Sequence, residues 1–349
     1  MIKYSRRKET KMKPKLQSLF YCVAVRFIAQ FLTVVAEFTL LSVLMSGLCY
    51  AAFEDLGAGA RSLGMGDAFV ALADDLNASY YNPAGLVQLK SIEVQAMYAG
   101  YYLGLGESIG DGFIGYGQKL KEEMGAFGLG YLERRTSELY KEITFAVSYA
   151  KGFKAEKFSI GASLKYRYKS YKPEYDMSEP SQLDPVFQGG SSASGVSVDL
   201  GFLYRPVDFF SFGVFAGDIN QPDISLMNRD AVPISFKMGT SYRFGEGGSY
   251  AINIDGLYRD GDYNLNLGIE NWIILEIGEF DLQGFSQKKN QMGWRTGFSI
   301  GTNGYKNFSL GASYHLGSPD LQFDYAFIYP LSGIKNTYGT HRLAMIMRL

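Results

Sequence analysis

Few residues in this 349-residue chain are typed and spaced for covalent chemistry. There are two histidines, His315 and His341, and both read as the inward parity of alternating segments. A hydrolase needs a base beside a nucleophile, and Ser309 and Ser313 stand near His315. A serine two residues from a histidine is commonplace on a polar face, and that plain reading is preferred. A transition-metal site would rest on two histidines 26 residues apart, because Cys22 and Cys49 both lie in the leader described below. Gly57-x-Gly59 and Gly64-x-Gly66 lack the preceding strand and the following acid of a dinucleotide loop. Neither a catalytic residue, a metal nor a cofactor is expected, and the chain reads as a non-enzyme.

The elements that would position these residues begin after a leader. Residues 1–51 carry eight Lys/Arg and two acids, then an uncharged apolar run from Phe38 to Phe53 that passes through Ser46-Gly47-Leu48-Cys49-Tyr50-Ala51-Ala52. Basic region, short apolar core and small residues follow the order of a secretory signal peptide, with cleavage expected near Ala51. The run of 16 residues is short for a spanning helix of about 20. A retained N-terminal anchor is the rival reading, and Leu48 before Cys49 is the wrong context for a lipoprotein. Without the leader, 26 Lys/Arg face 33 Asp/Glu, so the mature chain is about −7 and argues against nucleic acid as a partner.

The composition holds 41 Gly, 26 Tyr and 25 Phe against 2 Trp, which disfavours helical bundles and excludes a disordered chain. From about residue 91 the dominant period is two. In 158–169, Phe158, Ile160, Ala162, Leu164, Tyr166 and Tyr168 oppose Ser159, Gly161, Ser163, Lys165, Arg167 and Lys169. Segments 196–205, 307–316 and 321–329 repeat the pattern. Similar stretches lie near 92–103, 112–118, 124–132, 142–150, 209–217, 234–244, 249–258, 263–272, 292–300 and 340–349, with another suspected near 274–284. That predicts about 14 or 15 strands of mostly 9–11 residues, a length that suits a tilted bilayer crossing better than a soluble sandwich. The fold class expected is all-β, a transmembrane antiparallel barrel over 91–349. A secreted all-β protein is the alternative. Lys165, Arg167, Asp199 and Arg205 fall on the polar parity and are candidate lumen residues. The acidic stretch 170–193, with Glu174, Asp176, Glu179 and Asp184, reads as a solvated loop.

Residues 52–90 do not alternate. They are rich in Gly and Ala, with a short helix expected over Asp67–Ala73 and an Asn82 cap before Pro83 at the first helical position. Small residues would let this segment pack against a wall of Gly, Ala and Ser, and a plug within the barrel is expected. The run from Gly57 through Leu86 resembles the amino-terminal signature of the FadL-like outer-membrane proteins, most closely their PorV/PorQ branch. Asn82-Pro83-Ala84 matches the Asn-Pro-Ala motif of fatty-acid transporters, and Asp74-Asp75 the paired acids before it. Asp218-Ile219-Asn220-Gln221-Pro222 and Gly339-Thr340-His341-Arg342 are similar to later parts of that branch.

The resemblance implies a 14-stranded barrel with a hatch in its lumen. Arg61, Gly64, Gly66, Asp67, Asp74, Asp75, Asn82, Pro83 and Ala84 are then the hatch motif, with Asp67 standing where many relatives have Gly. Arg167 and Arg205 are candidate wall partners for the hatch acids. The function first expected is passive outer-membrane transport of hydrophobic small molecules; the alternative is a PorV-like component of type IX protein secretion. Expected partners are outer-membrane lipid, a hydrophobic small molecule or exported proteins, and the barrel-assembly machinery during biogenesis.

Overall fold

A computed structural model describes residues 53–349 except 107–108, 122–123, 173–186, 188–189 and 276–289. The leader, the larger part of the acidic loop and most of the segment suspected near 274–284 lie outside the described residues. The alternating stretches form β1 (Glu93–Gly100), β2 (Ile109–Lys119), β3 (Ala126–Thr136), β4 (Tyr140–Phe153), β5 (Phe158–Tyr171), β6 (Ser192–Val207) and β7 (Phe210–Gly217). They continue as β8 (Ser235–Phe244), β9 (Tyr250–Arg259), β10 (Asp262–Ile274), β11 (Gln291–Gly301), β12 (Lys306–Leu316), β13 (Leu321–Pro330) and β14 (Thr340–Arg348).

Each strand is antiparallel to the next, and β1 pairs with β14 to close a 14-stranded barrel. Closure pairs β1 along its length, from Glu93 opposite Arg348 to Gly100 opposite His341. Arg348 Nε also meets Glu93 Oε1 at 2.8 Å across this seam. No strand edge is left bare, which removes the usual template for aggregation. Because all pairs are antiparallel, β1 begins and β14 ends at the same mouth. That terminal mouth also carries the turns 154–157 and 208–209, after β4 and β6.

Side-chain parity divides the wall into two faces. On β5, Ile160 and Leu164 are 52% and 55% exposed, whereas Ser159 and Ser163 are 0% and 2%. Exposed Leu, Ile, Val, Phe and Tyr recur at alternate positions around the barrel. So large an apolar band is a liability in water and is the face a barrel turns to hydrocarbon. At the terminal mouth Phe158 stacks on Tyr204 at 4.7 Å and Phe244 on Tyr250 at 5.1 Å. Tyr140 and Tyr171 pair at 4.7 Å at the opposite mouth. Among the described residues, no helix is long and apolar enough to cross a membrane.

The two histidines part company here. His315 keeps the parity of buried Ser309 and Ser313 and meets Asp320 at 2.7 Å. His341 does not face inward: neighbouring Arg342 takes the buried parity, so His341 turns outward and its Nδ1 meets the exposed Tyr325 hydroxyl at 2.7 Å.

Residues 53–92 precede the barrel with two helical turns, α1 (Arg61–Gly64) and α2 (Ala78–Tyr81), and a 3-10 turn over Pro83–Gln88. The helix expected over Asp67–Ala73 is absent. Gly66 and Asp67 take φ of +66° and +68°, which a right-handed helix forbids, and Asp255 Oδ2 of β9 accepts the Val70 N–H at 2.7 Å. Asp is one of the few residues besides Gly that accept the left-handed backbone found at position 67.

Candidate functional site

The candidate site is the contact between residues 53–90 and the buried face of the wall. Arg61, on α1 and 7% exposed, is its hub. Its guanidinium makes a two-pronged contact with Glu270 of β10, Nε to Oε2 at 2.8 Å and Nη2 to Oε1 at 2.6 Å. Nη1 donates to Asp74 at 2.6 Å and to Asp75 at 2.8 Å. Beyond it, Arg295 Nε of β11 donates to Glu270 Oε2 at 2.6 Å, and Arg243 Nη2 of β8 to Asp74 Oδ2 at 2.8 Å. Burying these groups alone would cost several kcal/mol each; alternation of cation and carboxylate offsets that cost. Burial by itself would raise the Asp74 carboxyl, but Arg61 and Arg243 hold it below the usual carboxylate range.

Asn82 works through hydrogen bonds rather than charge. Its Oδ1 caps the 3-10 turn by accepting Ala84 N–H at 3.2 Å, with Pro83 at the first position as expected. Its Nδ2 donates to Val70 O and to Phe202 O of β6, each at 3.0 Å. Close approach at this place needs glycine on the wall: a Cβ at Gly201 would lie 2.3 Å from Asn82 Oδ1, and one at Gly161 2.4 Å from Ala84 N. Likewise a Cβ on Gly297 would lie 2.1 Å from Gly66 N. Ser159, Ser211 and Ser299 add donors to the carbonyls of Ala84, Ala71 and Gly66 at 2.7–2.9 Å.

Asp67 bonds Tyr81 within the segment rather than a wall cation. Burial pushes its carboxyl up to about 6, against an opposing pull from Lys237. Lys237 Nζ lies 2.6 Å from Asp55 Oδ2 and 5.1 Å from the centre of the Tyr81 ring. Arg342 donates to the carbonyls of Leu56 and Gly57 at 2.6 and 3.0 Å, and Arg134 to that of Glu54 at 2.8 Å.

The candidate wall residues, Arg167 and Asp199 buried and Lys165 and Arg205 partly so, do not serve the hatch acids. Lys165 reaches Asp199 at 2.7 Å, and Arg167 donates through Nη2 to Asp218 at 2.9 Å, with its guanidinium 4.8 Å from the Phe53 ring. Arg205 bonds Gln88 at 3.0 Å instead. Arg243, Glu270 and Lys237 carry the contacts and were not singled out by sequence reasoning. Their parity was readable, but their level along the barrel was not. Lys165, Arg167, Asp199 and Asp218 line a cavity of about 60 Å³ with Arg134 and Glu142, and Phe53, Phe113, Leu132 and Phe215 share that lining, so the space left beside the segment is part charged and part apolar.

With this geometry in hand, the chain compares as follows. Residues 75–346 match the family model described as type IX secretion system membrane protein PorP/SprF. The chain belongs to that family. The PorP/SprF chain is also similar in fold to a solved CymD monoaromatic hydrocarbon channel, with 14% identity, TM-score 0.60, and 85% of this chain and 99% of that chain covered. It is similar to the Ralstonia pickettii toluene transporter TbuX, with 14% identity, TM-score 0.58, and 84% and 98% covered. A Pseudomonas aeruginosa FadL homologue aligns at 13% identity and TM-score 0.53, over 85% and 100% of the two chains. At these identities the likeness to the channels is one of fold. No curated protein sequence matches the PorP/SprF chain.

Proposed function

We propose that this chain is an outer-membrane barrel plugged by residues 53–90 that serves type IX secretion as a non-enzymatic membrane component. The observation that carries the reading is the ion-paired anchoring of that segment to the wall through Arg61, Glu270, Asp74 and Arg243. A hydrophobic molecule crossing here would have to part these charges or pass the charged cavity lined by Arg134, Arg167 and Asp218. Family membership agrees with the secretion role. A PorV/PorQ placement rests on the motif similarity of 57–86 alone. The leader would deliver the chain for export, and the barrel-assembly machinery would insert it.

Passive transport of hydrophobic molecules is the second reading, favoured by the fold shared with monoaromatic hydrocarbon channels. Gene deletion separates the two. The secretion reading expects exported proteins to be lost from the medium, with uptake of labelled toluene and fatty acid unchanged. Normal secretion with reduced uptake would overturn it in favour of transport.

A further inference from the structure

The terminal mouth holds a second, larger cavity of about 360 Å³, away from the charged space around Arg134. It lies between the turns 154–157 and 208–209, with Arg205 of β6 and Arg243 of β8 on its lining. Both guanidinium groups are partly open to solvent, at 26% and 31% side-chain exposure. Lys157 lines it as a third cation. Two acids, Glu156 and Asp208, also line it, and Glu156 is shared between Lys119 and Arg205, whose Nη2 it meets at 3.4 Å. The lining thus carries three cations against two acids.

Two buried polar atoms on this lining have no hydrogen-bond partner. One is Ser241 Oγ, on a residue 1% exposed; the other is Arg205 Nε. An unpaired buried hydroxyl costs about 1–3 kcal/mol, so a site that leaves one open in company with two guanidinium groups is built for an acceptor. A planar, two-oxygen acceptor suits Arg geometry best. The cavity is larger than a bare oxyanion needs, and its rim offers Val207 and Phe209, 42% and 45% exposed, to apolar groups flanking the charge.

We propose that this cavity is an oxyanion site in which Arg205 and Arg243 take a carboxylate from an acidic polypeptide partner, with Ser241 Oγ donating a further hydrogen bond. The present partner of Arg243 is Asp74, which also binds the Arg61 hub. An incoming carboxylate competes with Glu156 for Arg205 and with Asp74 for Arg243, so occupation of the mouth weakens one of the anchors of residues 53–90. The oxyanion site stands on its own geometry; the polypeptide source rests on the secretion reading.

The test uses the purified, detergent-solubilised full barrel and three probes: an acetylated tetraglutamate peptide, its tetraglutamine counterpart, and inorganic phosphate. Titration calorimetry is expected to give saturable binding of the glutamate peptide, with the glutamine peptide at least about tenfold weaker. Arg205→Gln and Arg243→Gln each weaken the glutamate peptide about tenfold or more, and Ser241→Ala a few-fold. Arg205→Lys recovers part of the loss, and heat-modifiable migration on gels reports that each variant is folded. Phosphate binding as tightly as the peptide means an adventitious ion only and overturns the polypeptide assignment. Equal peptide affinity in wild type and in folded Arg205→Gln overturns the site. Peptide binding that survives alongside normal secretion in the deletion strain would sink the secretion reading while leaving the oxyanion site standing.

Discussion

The barrel wall and the segment 53–90 are held by different forces. The wall rests on a backbone ladder that runs around all 14 strands, with one register shift between β6 and β7, plus an outward apolar face. Its order is spread over many equivalent hydrogen bonds, and no single side chain decides it. The segment has only short helical turns of its own and is held by buried apolar side chains such as Met65, Phe69, Leu72, Leu76 and Leu86, together with polar contacts led by Arg61 and Asn82. The two are therefore expected to be separable: one substitution should release the segment while leaving the wall closed.

The sharpest break is Arg61→Met, which fills similar space but leaves Asp74, Asp75 and Glu270 without their shared cation. Asp75 then loses its paired cation while Asp74 keeps Arg243 and Glu270 keeps Arg295, so the cost is about 3 kcal/mol, the low end for breaking a buried pair. With cysteines absent after the expected cleavage, a single Ala71→Cys, at a site 1% exposed, gives a clean accessibility probe. Maleimide labelling of that thiol is expected to rise strongly in Arg61→Met while heat-modifiable migration stays unchanged. Loss of the folded band instead would mean that wall and segment are one unit.

Asn82→Ala should come next, at about 2 kcal/mol, because Phe202 O and Val70 O each lose a donor and the 3-10 turn loses its cap. The same thiol assay should register it, with a smaller rise than for Arg61→Met.

A smaller effect tests the segment through pH. The Asp67 carboxyl titrates near 6 when buried and near 3.8 as a free side chain. Between those values the folded state keeps a proton that the unfolded state releases. This position therefore favours folding at the acid end, and its contribution declines as pH rises from about 4 to 6. Asp67→Asn should flatten that dependence and stabilise the segment at neutral pH, on the order of 1 kcal/mol after solvent screening. An identical pH profile in wild type and variant would show that Asp67 is not the titrating group. The least effect is expected from Pro83→Ala, about 0.4–1 kcal/mol through the freer unfolded chain. Thermal melts in detergent at several pH values measure both.

Much of this was readable before any coordinates. Strand periodicity located all 14 described strands to within a few residues, and Asn82-Pro83 announced its own cap. Arg61, Asp67, Asp74 and Asp75 were recognisable as candidate hatch-to-wall contacts, but Asp67 bonds Tyr81 within the segment and the wall partners of the others were not readable. Arg167 and Arg205 share the right parity, yet they sit at other levels and answer to Asp218 and Gln88. The expected Asp67–Ala73 helix failed because long-range bonds from Asp255, Asn82 and Gln88 claim the backbone groups it would have used.

Alternation by itself determined which face of the wall most side chains take, since successive residues in a strand must point to opposite sides. His341 follows the same rule, facing outward because its neighbour Arg342 faces inward. What the tertiary structure alone decided is which inward charges meet. Strand stagger and tilt set the height of every residue in a closed barrel, and no local pattern encodes that height. Glu270 of β10 and Arg243 of β8 thereby come within reach of one short segment more than 160 residues earlier in the chain.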